Sequence, residues 1–470
     1  MCGVIGICSD GVAWEAYRAL LAIQHRGQNS AGILTMNDKF YRKQGDGLVS
    51  EVFQNYPLDE LKGKKGIAHV RYPTAGTDPA SEVQPLFINY PYGLALAHNG
   101  NITNCEELKA FLREKRRSLQ TDSDSEILLN VLADKISKHG LDEALGQTLD
   151  LVDGSYSSVM LLGKDEGGVI GFRDRHGIRP LVIGKKETEC GTNYMVCSES
   201  VGLDVTGYEL VRDVKPGEAV YFSNCSMRSK QLHPSRPSHC IFEYVYFSRP
   251  DSIIEGQSIY EVRFKLGENI DFDKDVDAVI PVPDTARTAA LGFSLKYGIP
   301  YREGLIKNRY IGRTFIMPTQ RYRESAVIEK LNVIRKEVSG KRIALVDDSI
   351  VRGTTSRRLV NLLKRYGAKE VHFVSSCPPI TNPCFYGIDM TIKNELIASR
   401  GTDGIENKIN ADSVTYQSID GLVKAIGLPR SHLCLACLTG DYPTCMTCER
   451  VEELGRAREN ERNNWKEPRR

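Results

Sequence analysis

A chain of 470 residues exceeds what one hydrophobic core holds, so two or three domains are expected. With 41% hydrophobic and 26% charged residues it reads as globular, and 62 basic against 60 acidic residues give a net charge of +2, too little to recruit nucleic acid or an anionic membrane. No run approaches the roughly 20 apolar residues of a membrane span and no secretory signal opens the chain, so a cytoplasmic, reducing location is expected; there the 13 cysteines read as metal ligands, catalytic thiols or buried apolar residues.

In chain order, MCGVIGI puts Cys2 directly behind the initiator methionine. VAWEAYRALLAIQH (12–25) and SDSEILLNVLADKISKHG (123–140) carry a helical apolar period. KGIAHVRY (65–72), YGLALAHNG (92–100), GSYSSVMLLG (154–163), GGVIGFRDRHGIRPLVIG (167–184) and YMVCSES (194–200) read as strands of largely antiparallel sheets divided by glycine turns. At CSMRSKQLHPSRPSHC (225–240) the periodicity dissolves and two prolines intervene, which sets a boundary between domains at 2–228 and 240–448. Beyond it the pattern changes. DAVIPVPD (277–284) precedes TARTAALGFSLKYG (285–298), and KRIALVDD (341–348) precedes TTSRRLVNLLKRYGAK (354–369) and EVHFVSS (370–376). Strand, polar loop, amphipathic helix and strand in succession predict a doubly wound parallel sheet, with ligands at the carboxyl ends of its strands. Residues 449–470 predict a charged surface helix that frays into a tail.

In KRIALVDDSIVRGTTS a buried strand delivers Asp347 and Asp348 to its carboxyl edge, and Arg352, Gly353, Thr354, Thr355 and Ser356 supply backbone N–H groups and hydroxyls at a helix start. Such a nest suits a phosphate monoester. The two carboxylates would repel that phosphate, and face a ribose diol and a magnesium ion instead. The stretch resembles the signature of the phosphoribosyltransferase family. That resemblance implies that Asp347 and Asp348 contact the ribose hydroxyls and Mg²⁺, that residues 352–356 cup the 5-phosphate, and that PVPDTAR (281–287) is the diphosphate loop, with Thr285 meeting the metal. LIKNRYIGRTFIMPTQRYRE (305–324), with five basic residues, reads as a lid that would exclude water from an oxocarbenium-like centre.

Loss of Met1 would leave Cys2 with a free α-amine, of reference pKa about 7.7–8.0 against about 8.5 for its thiol. One residue would then supply both nucleophile and base. QHRGQNSAG (24–32), HVRYPTAG (69–76), HNGNITN (98–104) and TDSDSE (121–126) accompany it. Together these resemble the glutaminase domain of the N-terminal-nucleophile amidotransferases, a four-layer αββα fold. The resemblance implies that Arg71 pairs with the α-carboxylate of glutamine, that Asp124 takes its α-ammonium, and that Asn99 and Gly100 form the oxyanion hole.

A glutaminase followed by a phosphoribosyl diphosphate site resembles the amidophosphoribosyltransferase family over roughly residues 2–445. This implies that ammonia released from glutamine travels inside the protein to C1 of the ribose, giving 5-phosphoribosylamine, diphosphate and glutamate. It further implies inhibition by purine nucleotides (AMP, GMP, ADP and GDP), a homotetramer, and in one branch a [4Fe-4S] cluster on Cys240, Cys384, Cys434 and Cys437. CLAC (434–437) with CMTC (445–448) could instead make a four-cysteine zinc site, which would leave the matching contexts of Cys240 and Cys384 unused, and Cys445 and Cys448 have no assigned role. The thiols at 8, 105, 190, 197, 225 and 377 are expected to be small buried residues, and His25, His69 and His98 to serve packing and hydrogen bonding. Two alternatives weigh less. A hexosamine-phosphate synthase would not need VDDSIVRGTTS, and a sugar-diphosphate-binding repressor would lack Cys2 and carry a basic DNA-binding element.

Overall fold

The computed structural model describes residues 1–72, 82–163, 168–223, 226–308, 331–390 and 392–466. The first half contains two antiparallel sheets. One has seven strands, in the order 209–213, 182–188, 191–197, 3–8, 65–71, 30–36 and 40–46; the other has six, in the order 226–231, 218–223, 169–173, 154–162, 94–102 and 86–88. They face each other across a core of Val4, Leu34, Ile67, Ala97, Val159, Val169, Val196 and Val220. Gly6 lets them approach, since a Cβ there would lie 2.7 Å from a Val169 methyl. The helix Val12–Ala22 covers the outer face of the first sheet, and the helices Cys105–Glu114, Asp124–Ile136 and Leu141–Leu151 cover that of the second. This is the αββα layering expected, and the two predicted helices form over 12–22 and 124–136.

The second half carries four parallel strands in the order Ala278–Pro281, Arg342–Asp347, Glu370–Ser375 and Ser413–Tyr416. A single parallel bridge, Val279 with Tyr301, lies on the other side of the first strand. The chain therefore leaves Ala278–Pro281 in one direction and returns on its opposite flank, so the switch point falls between that strand and Arg342–Asp347. The helix Arg287–Tyr297 packs on one face through Phe293 and Ala289, and the helix Thr354–Arg365 on the other through Leu359 and Leu363. Hydrophobic cores on both faces make the sheet doubly wound.

A further hydrophobic region joins the halves. It gathers Met1 and Ile178 with Ile241, Tyr244, Leu266, Tyr386, Leu422 and the four cysteines 240, 384, 434 and 437. The final helix, Cys448–Lys466, is anchored to the first half of the chain: Arg450 donates to the Thr103 carbonyl at 2.9 Å and Arg458 to Asn101 Oδ1 at 2.8 Å.

Candidate functional site

Cys2 stands one residue before the strand Gly3–Cys8, where Gly3 pairs with Val70, and so lies opposite Arg71. Its N–H donates to Asn99 Oδ1 at 3.2 Å, its carbonyl accepts from Arg26 Nε at 3.0 Å, and its thiol points at the Tyr72 carbonyl, 3.8 Å away. Before excision Met1 is buried, and that burial lowers its α-amine to about 4, so the unprocessed terminus sits there uncharged. Asn99 is buried, and its Nδ2 finds no acceptor among the described residues, leaving a donor available on a side chain whose Oδ1 already meets the Cys2 backbone. Gly100 follows on the strand Leu94–Ile102; a Cβ there would lie 1.9 Å from the Ser155 carbonyl oxygen. Only glycine fits.

Asp124 opens the helix Asp124–Ile136 and accepts from the Ile102 N–H at 3.2 Å and from Ser125 Oγ at 3.2 Å. Arg71 ends the strand Lys65–Arg71 and its Nη2 is ion-paired with Glu82 Oε2. That buried partner, eleven residues away, carries no local sequence signal. The histidines behave as expected. His69 is pushed down to about 3 by burial and then by Arg71, and His98 Nδ1 meets Ser125 Oγ at 3.0 Å. His25 pairs with Glu199 at 2.7 Å.

Beneath Cys2 lies a network that sequence reasoning missed. Arg26, fully buried, bonds Glu199 through Nη1 and Glu243 through Nη1 and Nη2, at 3.0 and 2.8 Å to the latter. Burial alone would raise the Glu243 carboxyl, but the charge and hydrogen bonds of Arg26 outweigh it and hold it below its ordinary value. Arg26 lies inside the QHRGQ motif; its partners, 173 and 217 residues away, carry no local signal.

At the parallel sheet, a cavity of about 620 Å³ opens at the strand ends. Thr285, Asp347, Asp348 and every residue from Arg352 to Ser356 line it. Burial, and then the charge of Asp348, pushes the Asp347 carboxyl well above its ordinary value; burial pushes Asp348 up to about 6. Neither has an ion-pair partner among the described residues, so the pair is suited to a cation. Gly353 adopts φ +74°, and a Cβ there would lie 2.3 Å from Ile397 Cδ1. Arg352 turns its guanidinium to Glu395 at 2.8 Å, which leaves its backbone to address the turn. Tyr72 also lines this cavity while its carbonyl faces the Cys2 thiol. Of the expected lid, residues 305–308 are described and the rest lie outside the described residues, as do 73–76 of HVRYPTAG and Cys225.

The four candidate cluster thiols are all buried, and the short parallel pair His239–Cys240 with Leu433–Cys434 sets Cys240 beside Cys434. Burial raises Cys240 to about 11 and Cys434 and Cys437 further, partly through the other thiols. Among the described residues no three His, Cys, Asp or Glu side chains converge tightly enough to hold a single metal ion. Cys445 and Cys448 are exposed, as is Cys190, which sits in the turn between two strands rather than in a core; Cys8 and Cys105 are half-buried, and Cys197 and Cys377 buried.

Comparison with known proteins gives one answer. Residues 69–204 match the family described as a glutamine amidotransferase domain. The chain is 46% identical over 454 residues to the amidophosphoribosyltransferase of Methanothermobacter thermautotrophicus, covering 94% of each chain. It belongs to the amidophosphoribosyltransferase family. The Escherichia coli K12 amidophosphoribosyltransferase is 46% identical over 450 residues, covering 91% of this chain and 88% of that one. Among solved structures, the glutamine phosphoribosylpyrophosphate amidotransferase of B. subtilis complexed with ADP and GMP superposes with a TM-score of 0.87 at 41% identity, covering 95% of this chain and 98% of that one. Amidophosphoribosyltransferases are glycosyltransferases that transfer the amide nitrogen of glutamine to phosphoribosyl diphosphate, the first step of purine biosynthesis, and this is the reaction of the chain.

Proposed function

We propose that residues 2–228 form the glutaminase and 240–448 the phosphoribosyl-transfer domain, followed by the helical segment 449–470, and that Cys2 carries the first half-reaction. Its α-amine, freed by removal of Met1, takes the thiol proton. The thiolate attacks the glutamine side-chain carbonyl, and the oxygen that becomes negative is received by Asn99 Nδ2 and the Gly100 N–H. The amine returns its proton to the departing ammonia, and water then splits the thioester to glutamate. Arg71 holds the substrate α-carboxylate and Asp124 its α-ammonium. The unpartnered, buried Nδ2 of Asn99, on a side chain whose Oδ1 meets the Cys2 backbone, supports this assignment.

In the second half-reaction the turn 352–356 takes the 5-phosphate, Asp347 and Asp348 hold the ribose hydroxyls, and Thr285 lies at the diphosphate end. Magnesium would be held by Asp347, Asp348 and Thr285, where it would neutralise charge on the diphosphate leaving group. Two buried carboxylates with raised proton affinity fit such a cation. Ammonia reaches C1 without entering bulk water, where most of it would be protonated. Tyr72 is the observation that carries this coupling, since its backbone touches the nucleophile and its side chain lines the sugar cavity.

The thiols of Cys240, Cys384, Cys434 and Cys437 would hold a [4Fe-4S] cluster as a structural element. All four thiols are buried and Cys240 is paired beside Cys434, which supports this set over a CLAC–CMTC zinc site, whose Cys445 and Cys448 are exposed. Purine nucleotides would inhibit, a reading supported by the ADP and GMP of the B. subtilis complex. The assembly would be a homotetramer. The enzyme would be cytoplasmic, in keeping with the finding that no described helix is long and apolar enough to cross a membrane.

The deciding experiment is an anaerobic assay of wild type and Cys2→Ser. The variant is expected to lose glutamine-dependent synthesis and to keep synthesis from high ammonia. Loss of both in a folded variant would overturn the division of labour. Visible absorption and iron content of the same sample test the cluster, and colourless, zinc-loaded protein would defeat it.

A further inference from the structure

Asn101, immediately beyond the oxyanion-hole glycine, is buried and bonded outside its own sheet directly through its side-chain amide at two points and indirectly through Ser155 at a third. Its Nδ2 donates to the Phe385 carbonyl at 2.8 Å, and reaches the neighbouring Ile102 carbonyl at 3.4 Å. Its Oδ1 accepts from Arg458 Nη2 at 2.8 Å, on the final helix. Its backbone N–H donates to Ser155 Oγ at 3.3 Å, and that hydroxyl donates onward to the Tyr386 carbonyl at 3.0 Å. Arg179 Nε donates to the same Tyr386 carbonyl at 2.8 Å. The segment 385–387 thus presses on the end of the Leu94–Ile102 strand, so closely that a Cβ on Gly387 would lie 3.0 Å from the Gly100 carbonyl oxygen.

We propose that Asn101 is a positioning residue for the oxyanion hole: clamped between the Phe385 carbonyl and Arg458, it fixes the Gly100 peptide, so that the hole is completed by chain from outside the glutaminase sheets. The physical argument is geometric. A hole donor stabilises the transition state only while its N–H is aimed at the developing charge; pairing with Tyr156 in the next strand restrains Gly100 on the sheet side, and the Asn101 contacts restrain the same strand end from outside the sheet. Neither Phe385 nor Arg458 touches substrate; each acts through Asn101. The inference rests on the reading of Cys2 as glutaminase nucleophile.

The test uses full-length Asn101→Ala and Arg458→Ala. The probe is glutamate γ-semialdehyde, to whose carbonyl carbon the Cys2 sulfur adds while the thiol proton passes to the oxygen, which then occupies the hole. For Asn101→Ala, kcat with glutamine is expected to fall on the order of 10- to 100-fold and semialdehyde affinity in proportion, with the glutamine KM, glutamate affinity and ammonia-dependent synthesis unchanged. Arg458→Ala is expected to show the same pattern with a smaller loss. A kcat within about twofold of wild type and unchanged semialdehyde affinity would overturn the proposal, as would a parallel fall in glutamine- and ammonia-dependent rates. Failure of the wild type itself to bind the semialdehyde at Cys2 would instead bring down the glutaminase reading.

Discussion

Replacing Glu243 by glutamine removes a negative charge from a site where the carboxylate accepts two hydrogen bonds from the buried Arg26, at 3.0 and 2.8 Å, and where Arg179 stands 3.6 Å away. The amide keeps the shape and one acceptor, and Glu199 still neutralises Arg26. A hydrogen bond between charged groups contributes about 1.5–3 kcal/mol, and the lower cost of burying a neutral amide offsets part of the loss, which leaves a destabilisation of about 2 kcal/mol. For a domain of this size that lowers Tm by roughly 4–8 °C. The sign with pH follows from the lowered carboxyl. The Glu243 contribution is fully present above its unfolded pKa, about 4.3, and is lost as pH falls through the folded value. The difference between wild type and Glu243→Gln is therefore expected to be largest near pH 7 and to shrink on acidification below about pH 4, as read by thermal unfolding across that range. Because Arg26 Nε also holds the Cys2 carbonyl, glutamine turnover should fall with it. A stability change under about 0.5 kcal/mol at pH 7, or a gap that widens in acid, would refute the reasoning.

Asn99→Ala should cost about 10²- to 10³-fold in glutamine-dependent kcat and leave the ammonia-dependent rate in place, measured with each nitrogen donor in turn. Gly353→Val would have to resolve a left-handed backbone and a contact 2.3 Å from Ile397 Cδ1; it is expected to raise the KM for phosphoribosyl diphosphate at least tenfold, by about 1.4 kcal/mol or more, with the rate of Cys2 alkylation by iodoacetamide unaffected.

Much of this architecture is legible in the chain because it is local. The apolar run ending at Val346, the carboxylates behind it and the amphipathic stretch from Thr354 lie contiguously, and the structure turns them into a strand over Arg342–Asp347, a turn and a helix over Thr354–Arg365. The αββα layers are readable for the same reason, since apolar strands buried on both faces and divided by glycine turns, and two periodic helices, are each set by neighbours in sequence. What stays hidden depends on distant partners. Nothing near Arg26 announces Glu243, nothing near Arg71 selects Glu82, and the charged composition of residues 449–470 cannot distinguish a solvated arginine from Arg458, which bonds Asn101 some 357 positions away. Cys190 shows the converse error, a thiol expected in a core that sits on a turn.

Intact-mass spectrometry of fully active enzyme, combined with N-terminal sequencing, tests the chemistry of Cys2 most directly. The chain is expected to begin at Cys2 with an unblocked amine, one methionine lighter than its coding sequence. Full glutamine-dependent activity from protein that retains Met1, or whose Cys2 amine is acylated, would contradict the account.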